Sequence, residues 1–317
     1  TEAFCEHFGT CGGCKWQHMT YDAQLKFKQK TVEGALGHLA KIDVSGMLPI
    51  APSPADRYYR NKLEFTFSNK RWLNDGENRT EDAPDMDALG FHIPGRFDKI
   101  LDVKHCYLQA DPSNDLRNRI RDYAKQQGIS FYNLKQHEGA LRNLIIRTSS
   151  TGELMVIVIF AYTTQEEIDG LMSFIDQSFP EITSLLYIVN QKKNDTIFDQ
   201  EVIAWRGPEY IYEEMIDGNG KTVRFRIGPK SFYQTNSVQA LKLYQITRDF
   251  AGFKGDELVY DLYTGAGTIA NFVAGQVKAV VGVEYVPSAI EDANINSQIN
   301  NSINSRFYAG DMNDLLN

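Results

Sequence analysis

The sequence predicts two units in tandem, an α+β domain followed by an α/β domain with a parallel, doubly wound sheet. Between residues 57 and 227, apolar runs of strand length are interrupted by two helical patterns, which favours an α+β arrangement. From residue 237 onward, helical and strand patterns alternate. A glycine-rich turn follows the first strand of this second unit, which is typical of doubly wound sheets.

The bulk composition is that of an ordinary globular protein with 317 residues, 42% of them hydrophobic. No window approaches the roughly 18 to 20 apolar residues of a membrane span. The first residues also lack the charged-then-apolar layout of a signal peptide. We therefore expect a cytoplasmic monomer with no membrane partner.

The formal net charge of −8 argues weakly against a nucleic-acid partner, because phosphate binding depends on Lys and Arg. Much of the acid lies in one segment with Gly76 and Pro84, which indicates a solvated loop. Its acids are Asp75, Glu77, Glu81, Asp82, Asp85 and Asp87. Basic residues cluster elsewhere, at Lys26, Lys28 and Lys30, at Arg57, Arg60 and Lys62, and at Lys221, Arg224, Arg226 and Lys230. Each basic cluster is more simply a solvated face than a binding site.

A short cysteine-rich opening precedes the first helix, for which Thr20 is a suitable N-cap. Leu25, Val32, Leu36 and Leu39 fall on one face of this helix. We assign residues 1–19 and 51–228 to the central α+β domain and residues 229–317 to the α/β domain. The helical segment 20–50 is expected to pack on the α/β domain.

The elements of both domains follow from periodicity. In the α+β domain, strands are predicted at 62–67, 144–147, 154–160 and 185–189, and helices at 113–127 and 164–177. Residues 217–220, Asp-Gly-Asn-Gly, predict the turn of a hairpin over 210–227. In the α/β domain, helices are predicted at 237–250 and 288–300, and strands at 258–262, 279–283 and 306–308.

The four cysteines match the number of ligands in a metal tetrad. Cys5, Cys11 and Cys14 lie close together and Cys106 lies far along the chain. Two glycines between Cys11 and Cys14 let the backbone bend around a bound centre. Disulfides and unrelated free thiols are the alternatives. The spacing barely separates zinc from iron, although one triplet with a distant cysteine leans toward a cluster. His7, His18 and His105 lie near the cysteines, but four cysteines complete a tetrad without them.

Residues 259–270, V-Y-D-L-Y-T-G-A-G-T-I-A, form a strand that runs into a glycine turn and a helix. The same pattern fits a dinucleotide site or a purely structural turn. Asp261 favours a sulfonium-containing methyl donor, because a carboxylate beside the glycines repels a pyrophosphate and attracts a cation. Glu284 ends the next strand, where an acid can hold ribose hydroxyls, and Asp311 follows the third strand.

Several separate motifs point to one family. The opening segment is C-E-H-F-G-T-C-G-G-C-K-W-Q-H, followed by Tyr21, Gln24 and Lys28. H-C-Y-L surrounds Cys106, R-N-K covers 60–62, F-Y-Q-T-N covers 232–236, D-L-Y-T-G-A-G covers 261–267 and G-V-E covers 282–284. Together, over nearly the whole chain, these motifs resemble the RNA uracil-5 methyltransferases, in particular their cluster-containing 23S ribosomal RNA branch.

The resemblance implies an iron-sulfur (4Fe-4S) cluster in the central domain and a partial Rossmann-like class I methyltransferase domain after it. The implied cluster ligands are Cys5, Cys11, Cys14 and Cys106. The expected contacts to S-adenosylmethionine are Gln234, Asp261, Tyr263, Gly265, Gly267, Thr268, Glu284 and Asp311. The expected contacts to RNA, ribosomal more than transfer RNA, are Phe232 beside the target base, Asn236, Arg60 and Lys62. Thr268 departs from the family, in which an Asn is often found at that place.

The family's chemistry requires a cysteine thiolate that adds to carbon 6 of uracil, so that carbon 5 takes the methyl group. A carboxylate then removes the proton at carbon 5. In the family, both groups follow an Asp-Pro-rich segment, and here we expect them beyond Asn317, with no catalytic residue in this chain. The chain is thus expected to be an inactive fragment of a longer enzyme. Two alternatives are a non-catalytic RNA-binding iron-sulfur module and a nicotinamide-dependent oxidoreductase with a cluster.

Overall fold

The structure is a computed structural model that describes residues 1–74, 77 and 84–315. Its helices are α1 (Tyr21–Gly34), α2 (Ser113–Gln126), α3 (Gln165–Ser178), α4 (Ser237–Ala251), α5 (Thr268–Ala274), α6 (Pro287–Ile299) and α7 (Met312–Leu315). Its strands are β1 (Lys62–Ser68), β2 (Ala88–Ile93), β3 (Arg96–Asp102), β4 (Leu141–Thr148), β5 (Leu154–Phe160), β6 (Ser184–Val189), β7 (Ile203–Arg206), β8 (Ile211–Ile216), β9 (Thr222–Ile227), β10 (Leu258–Leu262), β11 (Ala279–Glu284) and β12 (Ser305–Ala309). Asp75, Gly76, Glu81 and Asp82 of the expected acidic loop lie outside the described residues.

Seven strands form a mixed sheet in the order β3-β2-β1-β4-β5-β6-β7. β5 and β6 run parallel and are connected through α3, whereas the other neighbours are antiparallel. Every residue of β5 is buried. Its apolar run is uninterrupted because both faces of the sheet are covered at this strand.

Helices α2 and α3 cover one face of the sheet and complete the first core. Ile120 of α2 and Leu171 of α3 pack in the same cluster as Phe65 of β1. α3 begins with a capping box, in which Thr164 Oγ1 accepts from Glu167 N (3.2 Å) and the Glu167 carboxylate accepts from Thr164 N (2.9 Å). This reciprocal cap satisfies two backbone donors that the helix itself leaves unpaired.

The opposite face of the sheet contributes to a second core, which the α/β unit shares. Ile157 and Leu186 of the sheet belong to one cluster with Phe225 of the β8–β9 hairpin, Tyr244 of α4 and Phe272 of α5. The Phe225 and Phe272 side chains are fully buried. The two predicted units are therefore joined by continuous apolar packing.

Both free edges of the β8–β9 hairpin are occupied by polar side chains. On β9, the backbone N–H groups of Arg224 and Arg226 donate to the side chains of Asn300 (2.8 Å) and Asn296 (2.7 Å). On β8, hydroxyls of residues 150–151, in the turn between β4 and β5, donate to two backbone carbonyls. The hairpin is thus bonded on one side to the central sheet region and on the other to the α/β unit.

β10, β11 and β12 form a parallel sheet in that order, with Val259 opposite Val280 and Gly282 opposite Phe307. α5 follows β10 and α6 follows β11, as expected for a doubly wound sheet. Because the carboxyl ends of parallel strands meet at one edge, the turn at 263–267, residue 284 and residues 310–311 come together there.

The first helix is more exposed than its apolar spacing suggests. Thr20 caps α1 as predicted, accepting from Ala23 N at 3.3 Å. No residue of α1 is buried, and Leu39, in the π-helical turn that follows, is 83% exposed. Segment 50–53 bonds α1 through Gln29 and Tyr21 and bonds α4 through Gln239. Nowhere in the described ranges is a helix both long and apolar enough to cross a membrane.

Most predicted elements are confirmed within a few residues, including the hairpin and the alternation of strands and helices after residue 237. The sequence does not predict β2, β3 and β7. β3 carries four charged residues in seven, R-F-D-K-I-L-D, and β7 has only four residues at an edge of the sheet. Their strand conformation comes from pairing with neighbours and not from local periodicity.

Candidate functional site

The glycine turn between β10 and α5 contains three residues with left-handed backbone, Tyr263 (φ 64°), Gly265 (φ 54°) and Gly267 (φ 72°). A Cβ at Gly267 would lie 3.0 Å from Ala293 and 3.1 Å from Phe307, so this position requires glycine for space as well as for conformation. Tyr263 adopts the same region with a side chain, at a cost of about 1–2 kcal/mol. Such strain is characteristic of ligand sites, and the Tyr263 ring is 74% exposed at the edge of the sheet.

Asp261 braces this turn from within. Its Oδ2 accepts hydrogen bonds from Thr264 Oγ1 (2.6 Å) and from Ala270 N (3.1 Å). Burial raises the pKa of the Asp261 carboxyl, and the two hydrogen bonds offset part of that rise. The sequence predicts an electrostatic role toward a cation, and the geometry adds a structural role for one of the two oxygens.

Glu284, at the end of β11, also holds the turn. Its Oε2 accepts from Gly265 N (3.2 Å) and its Oε1 from Val286 N (3.1 Å). Asp311 is exposed and accepts from Asn313 N (2.8 Å) at the start of α7. These acids and the glycine turn occupy the same carboxyl edge of the sheet.

The segment 231–236 alternates between exposed and anchored side chains. Phe232 is 73% exposed and Gln234 is exposed, whereas Tyr233 is buried and its pKa is raised well above the usual range by that burial. Asn236 is the N-cap of α4, with Oδ1 accepting from Gln239 N at 3.0 Å. The structure therefore presents Phe232 and Gln234 to solvent and gives Asn236 a capping role.

Two residues that the sequence does not single out hold this segment by its backbone. Asn61 Nδ2 donates to Gln234 O (3.0 Å), and Asn61 N donates to Thr235 O (2.7 Å). Arg147 Nη2 donates to Ser231 O (2.8 Å). The R-N-K motif contains Asn61 between the charged residues Arg60 and Lys62, and this motif is the signal that could have identified it. Nothing in the sequence marks Arg147.

Arg60 and Lys62 flank Asn61, whose backbone and side chain contact segment 231–235. Lys62 lies opposite Arg147 across β1 and β4 and is 3.9 Å from Glu64. Burial, and then the neighbouring Arg147, lowers the pKa of Lys62. Burial also lowers the pKa of Arg147 to about 10. The Arg60 backbone N donates to Leu108 O (2.8 Å), which ties the R-N-K motif to the segment after Cys106.

The structure brings the four cysteines together. Cys5, Cys11, Cys14 and Cys106 are free thiols that line one cavity of about 720 Å³. Burial raises the pKa of the Cys5, Cys11 and Cys106 thiols, to about 11 for Cys11, and neighbouring cysteines raise each further. The distant Cys106 therefore joins the triplet, as the number of cysteines suggests.

The backbone around the triplet suits an anionic sulfur. Gly13 N donates to Cys11 Sγ at 3.4 Å. A side chain at Gly12 would approach His92 O to 2.9 Å, so the Gly-Gly pair permits close contact with β2. Within the described part of the chain, no group of three or more His, Cys, Asp and Glu side chains could hold a metal ion.

The chain is similar to known methyltransferases. A family model described as a methyltransferase domain matches residues 254–317, which include the glycine turn and Glu284. A Bacteroides thetaiotaomicron protein named as an uncharacterized RNA methyltransferase is 57% identical over 99% of this chain and 69% of its own length. A Porphyromonas gingivalis protein of the same description is 54% identical over 99% of this chain and 68% of its own length.

The chain belongs to the RNA methyltransferases. Among solved structures, it is similar to the Pyrococcus abyssi tRNA (uracil-54, C5)-methyltransferase in complex with S-adenosyl-L-homocysteine, with 28% identity and a TM-score of 0.72. That likeness covers 96% of this chain and 66% of the other. The chain thus spans about two thirds of the length of the relatives that it matches. Its α/β unit has the class I methyltransferase fold.

Proposed function

We propose that this chain is part of an RNA uracil-5 methyltransferase that takes its methyl group from S-adenosylmethionine. The observation that carries the proposal is the likeness over nearly the whole chain to the Pyrococcus enzyme, whose structure contains S-adenosyl-L-homocysteine. The assembled edge of the β10–β11–β12 sheet supports it independently, because its strained glycine turn and acids have the form of a nucleoside site.

The cofactor site that we propose lies along this edge. The sulfonium and ammonium groups of S-adenosylmethionine are cations, and Asp261 supplies a carboxylate beside the turn. Glu284 would hold the ribose hydroxyls, and Asp311 is placed for the adenine end. The remaining proposed contacts are Gln234, Tyr263, Gly265, Gly267 and Thr268. A dinucleotide is disfavoured there, because carboxylates repel a pyrophosphate.

The RNA site that we propose lies at segment 231–236. The exposed Phe232 ring can stack on a base that has left the helix. Arg60 and Lys62, on either side of Asn61, and Asn236 would contact the RNA, the two cations at its backbone. We propose ribosomal RNA as the target because the cysteine segment resembles the cluster-containing ribosomal branch. The Pyrococcus enzyme acts on transfer RNA, so both RNA classes belong in the assay.

We also propose a 4Fe-4S cluster on Cys5, Cys11, Cys14 and Cys106. Four cysteine thiols line one cavity, and a 4Fe-4S cluster is held by four cysteine thiolates. The N–H of Gly13 that faces Cys11 sulfur supports the same assignment. When bound, such a cluster would tie residues 5–14 to Cys106.

The reaction would proceed through a covalent adduct, in which a cysteine thiolate adds to carbon 6 of the uracil. The four cysteines line a cavity that includes no residue of the glycine turn. We therefore propose that the nucleophile and the base that removes the proton at carbon 5 come from outside these 317 residues.

The polar link from α1 through segment 50–53 to α4 supports the proposal that residues 20–50 pack on the α/β unit.

Calorimetric titration of the chain tests the cofactor. S-adenosyl-L-homocysteine should bind and NADH should not, and Glu284→Gln should weaken the affinity about tenfold, whereas the exposed Glu291→Gln matches the change in charge and should not. Binding of NADH with no binding of S-adenosyl-L-homocysteine contradicts the proposal.

Methyl transfer tests the reaction. The full-length gene product should place a labelled methyl group on carbon 5 of a uridine in 23S ribosomal RNA, as read by mass spectrometry of nucleosides. The 317-residue chain should transfer none. Methylation of transfer RNA alone overturns the ribosomal target, and methylation at any other atom overturns the uracil-5 assignment.

A further inference from the structure

A fully buried arginine lies beside Cys106. Arg117, in the second turn of α2, has no exposed surface. Its Nε donates to Val103 O (2.9 Å), and its Nη2 donates to Lys104 O (2.7 Å) and Asn114 Oδ1 (3.1 Å). Its Nη1 is buried without a hydrogen-bond partner. In the described part of the chain, Arg117 forms no ion pair.

Such an arrangement is unfavourable unless an anion is near. Burying a guanidinium removes its hydration, and backbone carbonyls return only part of that free energy. The Phe65 ring, 4.9 Å from the guanidinium carbon, adds a cation–π contact. Burial lowers the pKa of Arg117 to about 10, which still leaves the side chain protonated at neutral pH. Among the residues that the structure describes, no carboxylate therefore contacts this buried positive charge.

The geometry directs that charge at Cys106. Asn114 Oδ1 accepts both from Arg117 Nη2 and from Cys106 N (2.8 Å), so one acceptor joins the two residues. Asn114 Nδ2 also donates to Cys106 O (3.3 Å). Cys106 is bonded to Asn114 in the first turn of α2, where the helix dipole adds further positive potential.

The other charged groups around Arg117 do not neutralise it by contact. Asp102 acts on Arg117 from a distance, and its own carboxylate is bonded to Arg121 at 3.1 Å. Asp111 also acts from a distance, and Arg121 opposes the charge of Arg117. Of the groups that act electrostatically on Arg117, Cys106 is the one that gains negative charge when a metal binds.

We propose that Arg117 is the buried countercharge of the metal-thiolate centre at Cys106, so that the centre and the arginine stabilise each other. This inference rests on the proposed cluster. Arg117 is a positioning residue and touches no substrate. It holds the 103–106 segment through two carbonyls and balances the negative charge that ligation brings to Cys106.

The test uses the full chain reconstituted anaerobically with iron and sulfide. Arg117→Met removes the charge and retains an unbranched apolar chain. Arg121→Met, one turn along the same helix, removes a charge that carboxylates already balance. The readouts are the reduction midpoint of the cluster, its loss to a chelator, and the urea midpoint of the metal-free chain.

Arg117→Met should shift the reduction midpoint to more negative potential and reduce retention of the cluster about 10- to 100-fold. The metal-free variant should lose less stability than the loaded one, because removal of the buried charge offsets part of the cost of the three lost hydrogen bonds. Arg121→Met should change neither the midpoint nor retention. Equal losses in the metal-free and loaded states, or equal effects of both variants, would overturn the inference.

Arg117→Lys separates the effect of charge from the effect of packing, because it keeps the positive charge but lacks the planar guanidinium group. Its midpoint should stay close to that of the wild type. A lysine variant that behaves like the methionine variant overturns the role of charge. A wild-type chain that takes up no iron and sulfide refutes the cluster itself, whereas a loaded chain indifferent to Arg117 refutes only this inference.

Discussion

Replacement of Gly267 and Gly265 by alanine separates two ways in which a glycine can be required. Both residues have left-handed backbone, so either change costs about 1–2 kcal/mol of conformational strain. A Cβ at Gly265 meets no atom within 4 Å, and a Cβ at Gly267 meets Ala293, Phe307 and Asn271 at 3.0, 3.1 and 3.2 Å. Crowding of this kind adds about 1–3 kcal/mol.

We therefore expect Gly265→Ala to lower the free energy of unfolding by about 1–2 kcal/mol and Gly267→Ala by about 2–5 kcal/mol. Urea unfolding measures both, and calorimetry with S-adenosyl-L-homocysteine shows whether the turn still binds. Equal losses of unfolding free energy in the two variants would refute the reasoning, because crowding around a Cβ at Gly267 would then have no effect on stability. A Gly267→Ala chain within about 0.5 kcal/mol of the wild type would also refute it.

Three further predictions concern the packing beneath the site. Burial raises the pKa of Glu213 above its ordinary value of 4.5. The folded state therefore binds this proton more tightly than the unfolded state does. The free energy of unfolding should fall as the pH rises above 4.5. Glu213→Gln should flatten that dependence in urea unfolding, and an unchanged slope contradicts the assignment. Asn61→Ala should lower the free energy of unfolding by about 0.5–1.5 kcal/mol, because the bond to Gln234 O is lost. It should also lower RNA methylation by the full-length enzyme. The control Asn294→Ala loses only a bond inside α6 and should leave methylation intact. Phe225→Ala should cost about 3–5 kcal/mol, and near-ultraviolet circular dichroism and S-adenosyl-L-homocysteine binding should be lost together; separate transitions would argue against a shared core.

Local pattern predicts the parts of this fold in which a single segment carries its own signal. β5 is apolar throughout because it is buried on both faces. The Asp-Gly-Asn-Gly turn marks the β8–β9 hairpin. β3 carries no such signal, since its charged residues become strand only through pairing with β2. Elements stabilised by partners far along the chain are therefore those that the sequence does not predict.

The candidate site divides in the same way. The turn at 265–267 and Glu284 are predicted because strand ends and glycines have a local signature, and the structure places them on one edge. Arg117 and Arg147 look like ordinary surface residues of a charged helix and a strand, and only the tertiary structure shows them buried. Asn61 contacts segment 231–235 across more than 170 residues of sequence, a separation that no periodicity reports.

The capped hairpin has a consequence for the integrity of the chain. Strand edges with free N–H and C=O groups pair readily with other strands, and β9 would be such an edge without Asn296 and Asn300. Because these asparagines belong to α6, displacement of α6 would uncover the edge of β9. Aggregation would then begin at Thr222–Ile227, and a proteolytic cut between α5 and α6 should promote it more than a cut in α1.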